Sequence, residues 1–200
     1  MKVSKIGILG GSFNPVHNGH LYIADEIKLQ LGLDKVIFIP TGIAPHKDNS
    51  EFAPKEHRYN MVCLAVGDRF EVSDIEVSSD SVCYAVDTMS RLKDIYFGDE
   101  LFYIIGADSL ADFTKWREPQ KLFNMLHLAV ADRGGTDTER IAENYRSAYG
   151  AKITVCHMKP FDASSTQIRS FLAKDGNSHG LIPKAVEEYI KEHGLYTEEK

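Results

Sequence analysis

The sequence predicts an α/β fold: an open, mostly parallel sheet with helices between its strands. Three observations carry that prediction. Short, unbroken apolar runs recur along the chain, as strands buried on both faces require. Amphipathic segments of helical length separate these runs. The residues with the most distinctive chemistry fall just beyond the apparent strands, where sheets of this class bind their ligands.

The first run, Ile6-Gly7-Ile8-Leu9, reads as a buried strand, and residues 21–32 read as the helix after it, with Gly32 placed to end it. Residues 35–39 form a second strand closed by Pro40, so the chain opens with a right-handed parallel crossover. A polar loop over residues 41–53 carries Ala44-Pro45-His46-Lys47, and Pro54 suits the first position of a helix reaching Val66. Residues 70–82 alternate weakly and predict one or two short strands. Residues 84–96 read as a helix whose inner stripe is Val86, Met89, Leu92 and Ile95 or Tyr96. The clearest later strand, residues 101–105, runs into Gly106-Ala107-Asp108-Ser109, and short helical pieces follow at 110–113 and 119–126. Residues 127–131 form a strand leading into Asp132-Arg133-Gly134-Gly135; a helix over 136–149 and a last strand over 152–158 follow. Ser164 or Ser165 can cap a helix over 166–173, and a helix over 183–193 closes the chain.

No repeat, low-complexity tract or linker divides the 200 residues, and 43% hydrophobic content suffices for one core, so a single domain spanning 1–200 is expected. A formal net charge of -6 argues against general attraction to nucleic acid or membranes, so an anionic substrate requires a local basic cluster. Cys63, Cys83 and Cys156 are odd in number and far apart, which supports neither a zinc ribbon nor a disulfide scaffold. With no leader-like opening and no apolar run near the ~20 residues of a membrane helix, the expectation is a soluble, cytoplasmic protein.

The chemistry concentrates in the stretch from Gly10 to His20. Gly10 and Gly11 let the backbone at the strand exit approach a bulky anion and point amide hydrogens at it. At about 100° per residue, His17, His20, Ala24, Ile27 and Leu31 share one sector of the helix. Both imidazoles then face the end of the sheet at a helix N-terminus, which suits phosphate. One inward histidine is ordinarily a core residue; two at i, i+3 behind a glycine-rich strand exit are not. A protein-bound metal lacks a third ligand at matching spacing. The dinucleotide fingerprint, the P-loop ending and the GxSxG elbow are all missing. Ser164-Ser165-Thr166-Gln167-Ile168-Arg169 can hold a second phosphate group through hydroxyls, amides and a guanidinium. Lys47 and Arg133 are further basic candidates beyond strands, and Trp116 offers a flat ring to an aromatic base.

With these pieces in place, the sequence resembles the HxGH nucleotidyltransferase superfamily and, within it, the bacterial nicotinate-nucleotide adenylyltransferases. The matching segments are Gly10 to His20, Pro45-His46-Lys47, Asp87-Thr88-Met89, Ile105-Gly106-Ala107-Asp108, Lys115-Trp116, Arg133 and Ser164 to Arg169, in order along essentially the whole chain. Ala85 departs from a usual threonine near the pyridine carboxylate, and Arg117 stands where an aromatic residue or histidine is frequent. The resemblance implies a Rossmann-like doubly wound sheet and transfer of AMP from ATP to nicotinate mononucleotide in NAD biosynthesis. It implies His17, His20 and Arg169 as catalytic residues. Gly10, Gly11, Ser12, Phe13, Gly106, Asp108, Ser165 and Thr166 would bind ATP. Lys47, Ala85, Thr88, Trp116 and Arg133 would meet the acceptor. Mg2+ would arrive with ATP, with no protein metal site, and a homo-oligomer is left open. The alternatives are a phosphopantetheine adenylyltransferase and a nucleotide-sensing domain without turnover.

Overall fold

Six strands build the sheet: β1 (Lys5–Gly11), β2 (Lys35–Pro40), β3 (Glu71–Val72), β4 (Glu100–Gly106), β5 (His127–Asp132) and β6 (Lys152–His157). In the computed structural model, which describes residues 3–45, 52–134 and 137–197, their order is β3-β2-β1-β4-β5-β6 and every pairing is parallel. The helices are α1 (Asn18–Leu31), α2 (Lys55–Val66), α3 (Ala85–Ile95), α4 (Ala107–Ala111), α5 (Pro119–Met125), α6 (Thr138–Tyr149), α7 (Ser165–Asp175) and α8 (Lys184–Glu192).

Alternation along the strands gives each face its own core. Leu9, Phe38, Phe102 and Ile104 point to one side, where they meet Ala24 and Ile27 of α1, Met61 of α2, Ile168 of α7 and Val186 of α8. Ile8, Ile37, Tyr103 and Ile105 point to the other, against Val86 and Met89 of α3, Leu110 of α4, Leu122 of α5 and Ala142 of α6. Strands buried on both faces cannot alternate with polar residues, which is why the sequence shows them as unbroken apolar runs.

The expected strands over residues 70–82 shrink to two residues, Glu71–Val72, at the sheet edge. From Ser73 the backbone turns away: Ser78 N–H donates to the Asp74 carbonyl at 2.8 Å, and Ser79 N–H to that of Glu76 at 3.1 Å. These turn bonds draw off backbone groups that a longer strand would have paired. Only Val82 returns to parallel pairing, in an isolated bridge with Ile43. The position that matters for a ligand lies between β1 and β4, where the strand order reverses and successive crossovers leave toward opposite faces. That divergence opens a crevice at the carboxyl ends of the central strands.

Candidate active site

His17 is the N-cap of α1 and His20 its third residue, so their spacing is that of a capping box. The backbone N–H of His17 donates to Nδ1 of His20 at 3.1 Å. That bond leaves the neutral His20 ring its proton on Nε2, where it can be donated to a ligand. The two rings lie 3.7 Å apart, tilted by 32°, and Phe13 meets the His20 ring edge-on at 5.0 Å. A Cβ on Gly19 would come to 3.0 Å from the His17 ring and 3.2 Å from Phe161, so the glycine lets that ring lie against the helix start. The buried Nδ1 of His17 has no hydrogen-bond partner among the described residues. Burial, reinforced by Arg133, lowers the His17 pKa to about 4. Burial, then His17, then Arg133 hold His20 well below the ordinary imidazole value. Both rings are therefore neutral near pH 7 before an anion arrives.

Other elements hold this corner from three sides. Ser165 Oγ donates to the Pro15 carbonyl at 2.9 Å, and Arg169 Nη1 donates to the Asn14 carbonyl at 2.9 Å. Arg58, only 2% exposed, donates to the carbonyls of Ser12 at 2.8 Å, Gly42 at 3.0 Å and Ala53 at 3.0 Å. The buried Asn14 accepts at Oδ1 from Ala53 N–H at 3.0 Å and from the Tyr196 hydroxyl at 2.7 Å. Beyond β5, Asp132 accepts from Gly134 N–H and Thr138 Oγ1, both at 3.1 Å, and so fixes the turn that carries Arg133.

Two adjoining cavities open at the crevice and share Gly10, Tyr103 and Trp116. The first, about 380 Å³, is the more polar of the two: His17, His20, Gly106, Ser109, Arg133 and Ser165 line it, between apolar walls that include Leu9, Ile23 and Phe161. The second, about 290 Å³, is walled by Ile39, Tyr84, Ala85, Met89, Trp116 and Arg117, with Gly11, Ser12, Ala44 and Glu76 also on its surface. Trp116 stacks on the buried Phe113 at 4.9 Å and meets Tyr103 edge-on at 6.1 Å, which fixes its ring at the boundary.

The sequence-predicted residues thus separate. His17, His20, Gly10, Gly106, Ser165 and Arg133 line the polar cavity, while Gly11, Ser12, Ala85 and Trp116 line the aromatic one, which Gly10 and Trp116 share with it. Arg133, expected to neutralise phosphate from the acceptor side, lines the cavity of the imidazoles, where β5 ends beside β4. Thr88, expected to face the acceptor, is buried in α3 and donates to Glu76 Oε1 at 2.7 Å, so Glu76 covers the position Thr88 was to fill. Phe13 is buried against Phe38 and presents no side chain to either cavity. Asp108 and Thr166 are exposed in the first turns of α4 and α7, outside both linings. Lys47 lies outside the described residues.

Sequence reasoning missed Arg58, Glu76, Tyr103 and Tyr196, and gave Asn14, inside the Gly10 to His20 stretch, no role of its own. Arg58 alone left a legible mark: it stands on the stripe it shares with Met61, Val62, Ala65 and Val66, where a charge needs partners.

The switch point of the parallel sheet thus carries paired neutral imidazoles, a guanidinium and a helix start beside an aromatic cavity. Residues 8–171 match the Cytidylyltransferase-like family. Nicotinate-nucleotide adenylyltransferase of Bacillus subtilis is 36% identical over 196 residues, covering 97% of this chain and 99% of that protein. A Desulfitobacterium hafniense protein named "Probable nicotinate-nucleotide adenylyltransferase" is 39% identical over 199 residues, covering 96% and 95%. This chain belongs to the nicotinate-nucleotide adenylyltransferase family. Its fold is shared with the Plasmodium falciparum nicotinic acid mononucleotide adenylyltransferase complexed with NaAD, at a TM-score of 0.82, 21% identity and coverage of 96% and 97%.

Proposed function

We propose that the protein transfers AMP from ATP to the 5′-phosphate of nicotinate mononucleotide, giving nicotinate adenine dinucleotide and pyrophosphate. The observation that carries this reading is the pair of cavities, one polar and one aromatic, meeting at Gly10, Tyr103 and Trp116. A reaction that joins two nucleotides through phosphate needs two compartments with a common edge.

The chemistry asks little of a base. An acceptor phosphate oxygen, already anionic, attacks the α-phosphorus; the bond to the bridging oxygen breaks, and pyrophosphate leaves with its electron pair. The protein must align two anions that repel each other and meet the charge growing on the leaving group. Alignment is worth roughly 7–11 kcal/mol, and a well-placed donor about 3–4 kcal/mol. His20, with its Nε2 proton, and His17 serve the α-phosphate and bridging oxygen, and Arg169 with Ser165 and Thr166 serves the β,γ end. Arg133 neutralises charge where the two phosphates meet, and Lys47 does so from the acceptor side. The Ser12 and Phe13 amides cradle the triphosphate from the β1–α1 loop. Gly106 and Asp108 flank the ATP ribose, and Ala85 and Trp116 bound the pyridine ring. Mg2+ enters with ATP as part of the substrate, since it prefers phosphate oxygens and water. No helix of the described residues is long and apolar enough to cross a membrane.

Pyrophosphate release with ATP, Mg2+ and one acceptor at a time tests this reading. Release with nicotinate mononucleotide, and none with phosphopantetheine, is expected. Turnover of phosphopantetheine instead, or ATP binding without release for any acceptor, would overturn it.

A further inference from the structure

We infer that Arg117 selects the acceptor by charge, its guanidinium receiving the pyridine carboxylate so that the acid is used in preference to the amide. This rests on the adenylyl-transfer reading above.

The aromatic cavity is poor in charged groups that could tell an acid from an amide. Among its described lining residues only Glu76 and Arg117 are charged. Glu76 already accepts the Thr88 hydroxyl at 2.7 Å, and as an acid it repels a carboxylate. Ala85, at the first position of α3, offers no side-chain donor. Arg117 is therefore the one described cation available to the pyridine ring's substituent.

Its setting fits that task. The guanidinium lies over the Tyr84 ring, 4.6 Å from its centroid, a cation–π contact that keeps it at the cavity wall. Its ion pairs are long: 3.5 Å from Nη1 to Asp87 Oδ2, and 3.8 Å from Nε to Glu118 Oε1. A guanidinium has five donors in a planar fork, so these contacts leave capacity for a carboxylate bound through two parallel hydrogen bonds. The backbone fixes where the side chain starts. Trp116 before it is extended, at φ -72° and ψ 161°. Glu118 after it is left-handed, at φ 51° and ψ 54°, a conformation uncommon for a non-glycine residue and disfavoured before Pro119. Trp116 and Arg117 are thereby both delivered to the cavity, one as a ring and one as a charge.

The two pyridine mononucleotides share the cationic ring and the ribose phosphate, and differ only in carboxylate against carboxamide. The rings of Tyr84 and Trp116 serve both alike; a cation at the ring's substituent favours the acid.

The test compares kcat and KM for nicotinate and nicotinamide mononucleotides in the wild type, Arg117→Ala and Arg117→Lys. Since Arg117 is half exposed, the preference for the acid in kcat/KM should fall about tenfold in Arg117→Ala. The fall should reside in the KM for the acid, and Arg117→Lys should recover most of it. Raised ionic strength should erode the wild-type preference and leave that of Arg117→Ala flat. Equal losses for both acceptors would make Arg117 a structural wall and overturn the inference, as would a preference that does not move or a wild type that favours the amide. Failure of the underlying reading is distinct: the wild type would then turn over neither pyridine mononucleotide.

Discussion

His20 performs two tasks with one ring. Its Nδ1 accepts the N–H of His17 at the start of α1, a place commonly filled by a Glu or Gln side chain, and its Nε2 proton is left for a ligand. The i, i+3 spacing was legible in the sequence as two histidines on one helical sector; that one caps the other was not, because a capping imidazole has no common sequence signature. We expect His20→Ala to lower kcat by roughly 10²–10³, the range for one oriented donor, with a far-UV circular dichroism spectrum like that of the wild type. Turnover near the wild-type rate in that folded variant would remove His20 from the reaction. His17 makes a pH prediction. Its pKa of about 4 in the folded protein lies below the unfolded value of 6.5, so the unfolded chain takes up the proton first. The stability from its neutral form is complete above 6.5 and is lost as pH falls toward 4, by about 3 kcal/mol. Melting temperatures from pH 7 to pH 4 should therefore fall less steeply for His17→Gln than for the wild type; parallel slopes would contradict this.

At the scale of elements, the loop after β1 is held by its neighbours rather than by its own sequence. Arg58 from α2 ties the carbonyls of Ser12, Gly42 and Ala53, α7 binds the carbonyls of Asn14 and Pro15, and Tyr196 reaches Asn14 from beyond α8. The helices and strands themselves were readable because their apolar periods are strong, and the segments from β4 to α8 stand within a few residues of expectation. The exception, β3, is an edge element with one partner, where turn chemistry at Ser73 and Asp74 prevails over a weak alternation. Long-range latches such as Arg58 join segments distant in sequence, so neither spacing nor propensity reports them. Arg58→Leu leaves three carbonyls without their donor, and we expect a loss of about 3–5 kcal/mol in urea unfolding, with a raised KM for ATP. A loss under about 1 kcal/mol would mean that water replaces the guanidinium and that the latch is dispensable.

At the scale of the molecule, the strand order creates the site. Crossovers diverge between β1 and β4, and the chain spends its local cations there despite a net charge of -6. The rule that ligands bind beyond the carboxyl ends of strands pointed to the crevice that His17, His20, Arg133 and Ser165 line, but Asp108, Thr166 and Arg169, also just beyond strands, stand outside both linings. Thr88 shows a further limit: a helix sector tells which end of the sheet a residue faces, whereas lining a cavity depends on which neighbour covers it, here Glu76. The central claim is that one polar and one aromatic compartment bring two nucleotides together across Trp116 and Gly10. A crystal structure of the protein with a non-hydrolysable ATP analogue and nicotinate mononucleotide tests it directly. The account predicts α-phosphate oxygens within hydrogen-bond reach of His17 and His20, and the pyridine ring in the cavity of Tyr84 and Trp116. Phosphates bound away from both imidazoles, or both nucleotides in one compartment, would contradict it.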